Sequence, residues 1–107
     1  MFGPLKGNAV RLAPAAHTLL IGEGIETTAA AMRRLGLPGW AAISASNLRH
    51  VELPEMVRQV VIAADNDRAG LDAAQATAQR FRREGRQVVI KKPKNFNDFN
   101  DLLLAKE

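Results

Sequence analysis

Acidic side chains stand where two apolar runs of the sequence end. Glu23 follows the run of residues 17–21 and lies between two glycines, and Asp65 and Asp67 follow the β-branched run QVVIAA of residues 59–64. If the two runs are neighbouring strands of a parallel sheet, the three carboxylates meet at one edge, because ligand crevices in such sheets lie beyond the carboxyl ends of the strands. Their repulsion, about 1 kcal/mol per pair at 4 Å in water, requires a counter-charge. Mg²⁺ fits, since it takes oxygen ligands and is commonly held by one or two carboxylates plus substrate phosphates.

Structural roles compete with metal binding at two of these positions. Asp67 suits the N-cap of a helix that begins near Arg68, and Asp65 suits a turn acceptor. Glu23 is different, because a carboxylate flanked by Gly22 and Gly24 at a strand end has no evident packing role. The residues alone therefore leave both interpretations of the two aspartates open.

Basic residues are concentrated near the end of the chain. The sequence has 15 Lys+Arg against 11 Asp+Glu, a net charge of +4. Between residues 80 and 94 a single acid, Glu84, accompanies seven basic residues: Arg80, Arg82, Arg83, Arg86, Lys91, Lys92 and Lys94. Such a run indicates either a solvated helix face and strand end or a surface that contacts a polyanion.

Several classes of protein are excluded by what the sequence lacks. It has no Cys, so disulfide scaffolds and Cys-ligated zinc sites are ruled out. A dinucleotide-binding G-x-G-x-x-G would need glycine at Thr27, and there is no Walker Gly-Lys-Ser/Thr. No apolar run approaches the ~20 residues of a membrane span, and residues 1–12 lack a signal-peptide core. We therefore expect a cytoplasmic protein with no membrane partner.

The elements that must position the acids alternate between strand and helix. With 107 residues we expect one domain, spanning residues 17–107 and preceded by an edge strand or the remnant of a preceding region in residues 1–16. The patterns predict strands over residues 17–21, 40–44, 59–64 and 87–90, and helices over residues 25–35, 69–83 and 98–105. This alternation is typical of an α/β fold with about four parallel strands flanked by helices.

Two segments together resemble the Toprim domain shared by DnaG-type primases, topoisomerases, RecR recombination proteins and OLD-family nucleases. The first, LLIGEGIET, is a strand that ends in a lone Glu, and the second, VVIAADNDRAG, is a strand that ends in D-x-D with a trailing Gly. The resemblance covers residues 17 to about 104. The later stretch PKNFNDFNDLL and the opening GPLKGNAVRL are most similar to phage and plasmid primases and primase-helicases.

The resemblance implies a compact Rossmann-like Toprim fold and a role for each candidate residue. Glu23 would be the catalytic carboxylate, as metal ligand or general acid/base, and Asp65 and Asp67 would bind Mg²⁺ or Mn²⁺. Asp98 and Asp101 would be supplementary metal or positioning groups. Phosphate or nucleic-acid backbone would be contacted by four cations: Arg68, Lys91, Lys92 and Lys94.

The same resemblance implies an Mg²⁺-dependent nucleotidyltransferase that makes primers on single-stranded DNA from nucleoside triphosphates. Full primases of this type carry further modules, so activity is expected in the context of a longer parent protein with a helicase domain or helicase partner. Two alternatives remain: a nuclease that uses the same acids to hydrolyse phosphodiesters, and a non-catalytic, RecR-like module for assembly on DNA.

Overall fold

A five-stranded sheet forms the centre of the computed structural model, which describes residues 8–64 and 67–91. Its strands are β1 (Val10–Arg11), β2 (Thr18–Gly22), β3 (Gly39–Ala41), β4 (Gln59–Ala63) and β5 (Gln87–Lys91). Its helices are α1 (Ile25–Leu35), α2 (Ala45–Leu48) and α3 (Arg68–Arg83). The spatial order is β1-β3-β2-β4-β5, and every pairing is parallel except that of β1 with β3. The predicted α/β class is confirmed, with a fifth strand because β1 adds an antiparallel edge.

The ends of the two long helices are set by residues that the sequence makes conspicuous. At Gly36 the backbone turns left-handed, with φ +66°, and its N–H donates to the Met32 carbonyl, so α1 ends where the predicted helix ends. Asp67 precedes α3 with extended backbone angles, and its carboxylate accepts a hydrogen bond from the Gly70 N–H at 2.6 Å. The interpretation of Asp67 as an N-cap is thereby confirmed.

Side chains alternate between the two faces of the sheet, and different helices pack against each face. On one face Leu19 and Ile21 join the main core with α2 and α3, where Phe81 is fully buried. On the other face Leu20 packs with Ala31 of α1 in a smaller cluster. Strand β2 is therefore buried on both sides, which explains its unbroken apolar run.

The predicted strand over residues 40–44 is wrong at its carboxyl end. Strand β3 stops at Ala41, and Ile43 has a φ of +84°, which takes the chain out of the sheet. Ser44 then caps the short helix α2, its hydroxyl accepting the Asn47 N–H at 3.0 Å. An isoleucine with a positive φ is rare, because its branched Cβ crowds the backbone. The pattern of apolar residues is typical of a strand, so it does not predict that the strand ends before Ile43.

Some predictions fall on residues outside the described ranges. They concern the metal ligand Asp65, the supplementary acids Asp98 and Asp101, the cations Lys92 and Lys94, and the helix over residues 98–105. Within residues 8–64 and 67–91, no helix has the length and apolar character needed to cross a membrane.

Candidate metal and phosphoryl-transfer site

The four parallel strands end in one row across the sheet. Gly22 at the end of β2 is paired in register with Ala41 of β3 on one side and Ala63 of β4 on the other, and Ala63 is paired with Lys91 of β5. Neighbouring strands lie about 4.8 Å apart. The condition on which the predicted site depends, that the strands preceding Glu23 and Asp65 are neighbours, is therefore met.

Glu23 is the first residue beyond this row, and its backbone is held from the β3 side. The Gly22 carbonyl accepts the Ala42 N–H at 2.7 Å, and the Glu23 carbonyl accepts the Ile43 N–H at 2.5 Å. The Glu23 side chain is half-buried, and its carboxylate oxygen Oε1 is shielded from solvent. The backbone of Glu23 is therefore fixed from both sides, by the pairing of β2 with its neighbours and by the chain that follows β3.

Gly22 allows helix α1 to approach the end of β2 closely. A Cβ built on residue 22 would lie 2.0 Å from Oγ1 and 3.0 Å from Cβ of Thr28, contacts that no side chain can make. Thr28 is fully buried in α1, and its hydroxyl has no hydrogen-bond partner within the described part of the chain. The glycine is thus required by sterics, one residue before the candidate carboxylate.

The substitution Gly22→Ala is expected to lower the free energy of unfolding by about 2 kcal/mol, because α1 must shift to admit the methyl group. The double variant Gly22→Ala/Thr28→Ala should recover about half of that loss, since the hydroxyl is gone but the Thr28 Cβ contact remains. Gly24→Ala is the control, because nothing lies within 4 Å of its Cβ. Denaturant unfolding measures all three, and equal losses for Gly22→Ala and Gly24→Ala would contradict the steric argument.

Asp67 lies on the chain between β4 and α3, where one carboxylate oxygen is occupied by the helix cap. The side chain is at an exposed position, and a carboxylate has a second oxygen that capping does not use. The structure therefore assigns Asp67 a structural role and is compatible with a second role toward a cation.

Two substitutions separate these roles of Asp67. We expect Asp67→Ala to lower the free energy of unfolding by about 1 kcal/mol, whereas Asp67→Asn retains the cap and changes it by only a few tenths. If the carboxylate also holds a metal, Asp67→Asn lowers Mn²⁺ affinity by roughly tenfold or more. Thermal unfolding and Mn²⁺ titration read the two effects separately. Unchanged Mn²⁺ affinity in Asp67→Asn would leave Asp67 as a cap alone.

The basic residues singled out in the sequence divide into two groups in the structure. Arg68 is exposed in the first turn of α3, and Lys91 is half-buried at the end of β5, so both lie at the carboxyl edge of the sheet. By contrast, Arg80, Arg82 and Arg86 from the basic run donate to backbone carbonyls of the protein itself. Much of the positive charge of that run is therefore used for internal hydrogen bonds.

A chain-wide match decides the family. A model of the Toprim domain family matches residues 18–107, which is most of the 107-residue chain. The chain belongs to the Toprim family. No curated protein and no solved structure matches it. Toprim domains generally bind divalent metals and occur in primases, nucleases and topoisomerases.

The donors at the edge of this Toprim sheet suit a hard divalent cation. Glu23 supplies carboxylate oxygens beyond the end of β2, and Asp67, beyond the end of β4, supplies a carboxylate oxygen that its helix cap does not use. No group of three or more His, Cys, Asp or Glu side chains that could hold a metal lies within those ranges. An Mg²⁺ site needs only one or two carboxylates when phosphates complete it, so the residues present fit the ion.

Sequence reasoning missed two residues that shape this edge of the Toprim domain. Ile43 was assigned to a strand, yet its left-handed backbone brings the chain back over Glu23. Asn47 is buried, and its side-chain amide donates to the Asn8 carbonyl at 2.6 Å and to the Ala42 carbonyl at 2.9 Å. The available signal was the sequence SASN of residues 44–47, because Ser and Asn favour helix caps and turns.

Proposed function

We propose that the chain is the catalytic Toprim domain of a phage- or plasmid-type DNA primase or primase-helicase, acting within a longer protein. The observation that carries the proposal is the placement of Glu23. Glu23 follows the end of β2, and β2 is paired in register with β4. The acids Asp65 and Asp67 follow β4 in the sequence. Membership of the Toprim family supports metal-dependent chemistry at that edge.

Each residue at the edge has a separate task in this proposal. Glu23 is the catalytic carboxylate, and Asp65 and Asp67 complete the site for Mg²⁺ or Mn²⁺, with Asp98 and Asp101 as supplementary groups. When bound, the ion would neutralise charge on phosphate oxygens, which is the main requirement of phosphoryl transfer.

The cations of the site would bind the negatively charged phosphates of the substrate, which the acids repel. Arg68 and Lys91 stand at the carboxyl edge of the sheet, and Lys92 and Lys94 follow them in sequence. Their contact with the phosphates of single-stranded DNA or a nucleoside triphosphate is independent of base sequence and weakens as salt rises. They thus hold the substrate in position while Glu23 acts on it.

The primase branch is favoured over a nuclease by the sequence after β5. The stretch PKNFNDFNDLL places two acids, Asp98 and Asp101, in a pattern similar to the closing element of phage and plasmid primases. A nuclease would use the same three principal acids to activate water, so the distinction rests on this closing element and on experiment.

The test is incubation of the longer protein that contains this domain with Mg²⁺ or Mn²⁺ and a single-stranded DNA template, with and without labelled ribonucleotides. We expect short labelled products that require both template and metal. Degradation of the DNA in the absence of ribonucleotides would assign the nuclease function instead. Neither activity, together with no metal-dependent change in the amide spectrum near Glu23, would contradict both and favour a non-catalytic module.

A further inference from the structure

Two exposed isoleucines lie beside Glu23. Ile25 keeps 47% of its surface exposed and Ile43 keeps 38%, so both are among the most exposed large apolar side chains of the described residues. They line the same shallow cleft, of about 390 Å³, together with Gly24, Glu26 and Thr27. We call this pair, Ile25 and Ile43, the isoleucine ledge.

The backbone of Ile43 is strained. Its φ of +84° makes it the only residue other than glycine with a positive φ among the described residues. For a β-branched residue this conformation is a genuine outlier. Such outliers persist only where the surrounding structure enforces them, and they concentrate at functional sites.

Hydrogen bonds on both sides enforce the conformation of Ile43. Its N–H donates to the Glu23 carbonyl, and the carbonyl of the preceding Ala42 accepts from the buried Asn47 amide at 2.9 Å. The next residue, Ser44, accepts the Asn47 N–H through its hydroxyl. Glycine or asparagine would adopt this backbone with less strain, so an isoleucine at this position points to a role for its exposed side chain.

We propose that the isoleucine ledge holds the apolar face of a nucleobase whose phosphates are bound at the Glu23 site. This inference rests on the proposed function, and it names the part of the substrate that the acids do not bind. A nucleotide presents a charged end for the metal and cations, and an apolar ring face close behind it. The ledge adjoins the backbone of Glu23, through Gly24 along the chain and through the hydrogen bond from the Ile43 N–H to the Glu23 carbonyl, so a ring that follows phosphates bound at Glu23 has this apolar surface beside it.

The dimensions of the ledge favour a nucleobase over a protein partner. Stable protein interfaces use about 20–30 residues on each side, whereas the ledge offers two side chains. Aliphatic side chains have no donors or acceptors with which to read base edges. The contact is therefore expected to be indifferent to base identity.

The experiment compares Ile43→Asn with Met56→Asn. Met56 is also exposed, at 54%, but it lies near the amino end of β4, on the opposite edge of the sheet. Affinity is measured in Mn²⁺ for ATP and GTP, whose purine rings have the same area but different edges, and for inorganic tripolyphosphate, which carries the phosphates without a base. Thermal unfolding is measured without ligand.

Ile43→Asn should raise Tm by roughly 5 °C, because asparagine tolerates the left-handed backbone. It should weaken the binding of ATP and GTP equally, by roughly three- to tenfold, since apolar contact with the base is lost. Tripolyphosphate affinity should stay unchanged, and Met56→Asn should alter neither nucleotide affinity nor Tm. Ile43→Leu, which keeps an apolar side chain, should retain nucleotide affinity.

Several results would overturn the proposal. Unchanged nucleotide affinity in Ile43→Asn, an equal loss for tripolyphosphate, or tighter binding of one base would each exclude an apolar base platform. If the unsubstituted protein binds Mn²⁺ and tripolyphosphate but binds a nucleoside triphosphate no more tightly than tripolyphosphate, the role proposed for the ledge is wrong while the proposed function stands. If it binds neither Mn²⁺ nor nucleotide, the proposed function fails as well.

Discussion

Glu23→Gln is expected to abolish the proposed metal-dependent nucleotidyl transfer while leaving the fold intact. The amide has the shape of the carboxylate but lacks its charge, so a divalent ion loses a hard anionic oxygen. Loss of an outer-shell partner alone commonly costs 10–100-fold in affinity or activity, so we expect a loss on the order of 100-fold or more. The measurements are activity with Mg²⁺ or Mn²⁺ and the Mn²⁺-induced broadening of amide signals around residue 23.

The matched control is Glu55→Gln. Glu55 is exposed in the connection that precedes β4, near the amino end of that strand and away from the carboxyl edge at Glu23. This variant should change the free energy of unfolding by no more than about 0.5 kcal/mol and leave activity within about twofold. Equal losses of activity in both variants would show that only the overall negative charge of the protein matters. A fully active Glu23→Gln would remove Glu23 from the chemistry.

The sequence predicts the positions of most elements because their signals are local. Helix α1 has the bounds expected from its apolar spacing and from Gly36, whose freedom to adopt a positive φ ends the helix. Strands β2, β4 and β5 differ from the predicted ranges by about a residue at either end. Their parallel pairing also follows, because strands that alternate with helices form parallel sheets.

The loop after β3 was not predictable in the same way. Ile43 is held in its conformation by Asn47 and by the backbone of Glu23, which are contacts that depend on the assembled sheet. Apolar pattern alone assigns such an isoleucine to a strand. At Asp67 the difficulty is different, because a helix cap and a metal ligand both require a short carboxylate after the strand.

The basic run shows how charge in a sequence can mislead about function. Residues 49–58 connect α2 to β4 without helix or strand, so their carbonyls need donors from elsewhere. Arg80 donates to the carbonyls of Arg49 and Val51. Arg86 donates to those of three further residues, Leu53, Pro54 and Val57. A run typical of polyanion contact thus stabilises an irregular connection, which only the folded chain reveals.

Arg86→Ala is accordingly expected to be among the most destabilising substitutions of a charged residue in this domain. Arg86 is only 8% exposed, its Nε donates to the Val57 carbonyl at 2.6 Å, and its guanidinium also pairs with Glu84. Truncation removes the donor to the carbonyls of Leu53 and Val57 and one of the two donors to that of Pro54, at about 1 kcal/mol each, for a total of roughly 3 kcal/mol. The corresponding fall in Tm is more than about 10 °C.

Two further variants distinguish the contribution of the Arg86 hydrogen bonds to stability from that of its charge. Arg86→Lys keeps the charge but has a single ammonium that cannot reach three carbonyls in different directions, so it should recover only part of the loss. Arg83→Ala removes an exposed arginine of the same run and should change the free energy of unfolding by no more than about 0.5 kcal/mol. Thermal and denaturant unfolding give these values. Because Arg86 is buried, we expect Arg86→Ala to leave the affinity of the folded protein for single-stranded DNA unchanged. If Arg86→Ala were instead as stable as Arg83→Ala and bound single-stranded DNA more weakly, Arg86 would be a nucleic-acid contact.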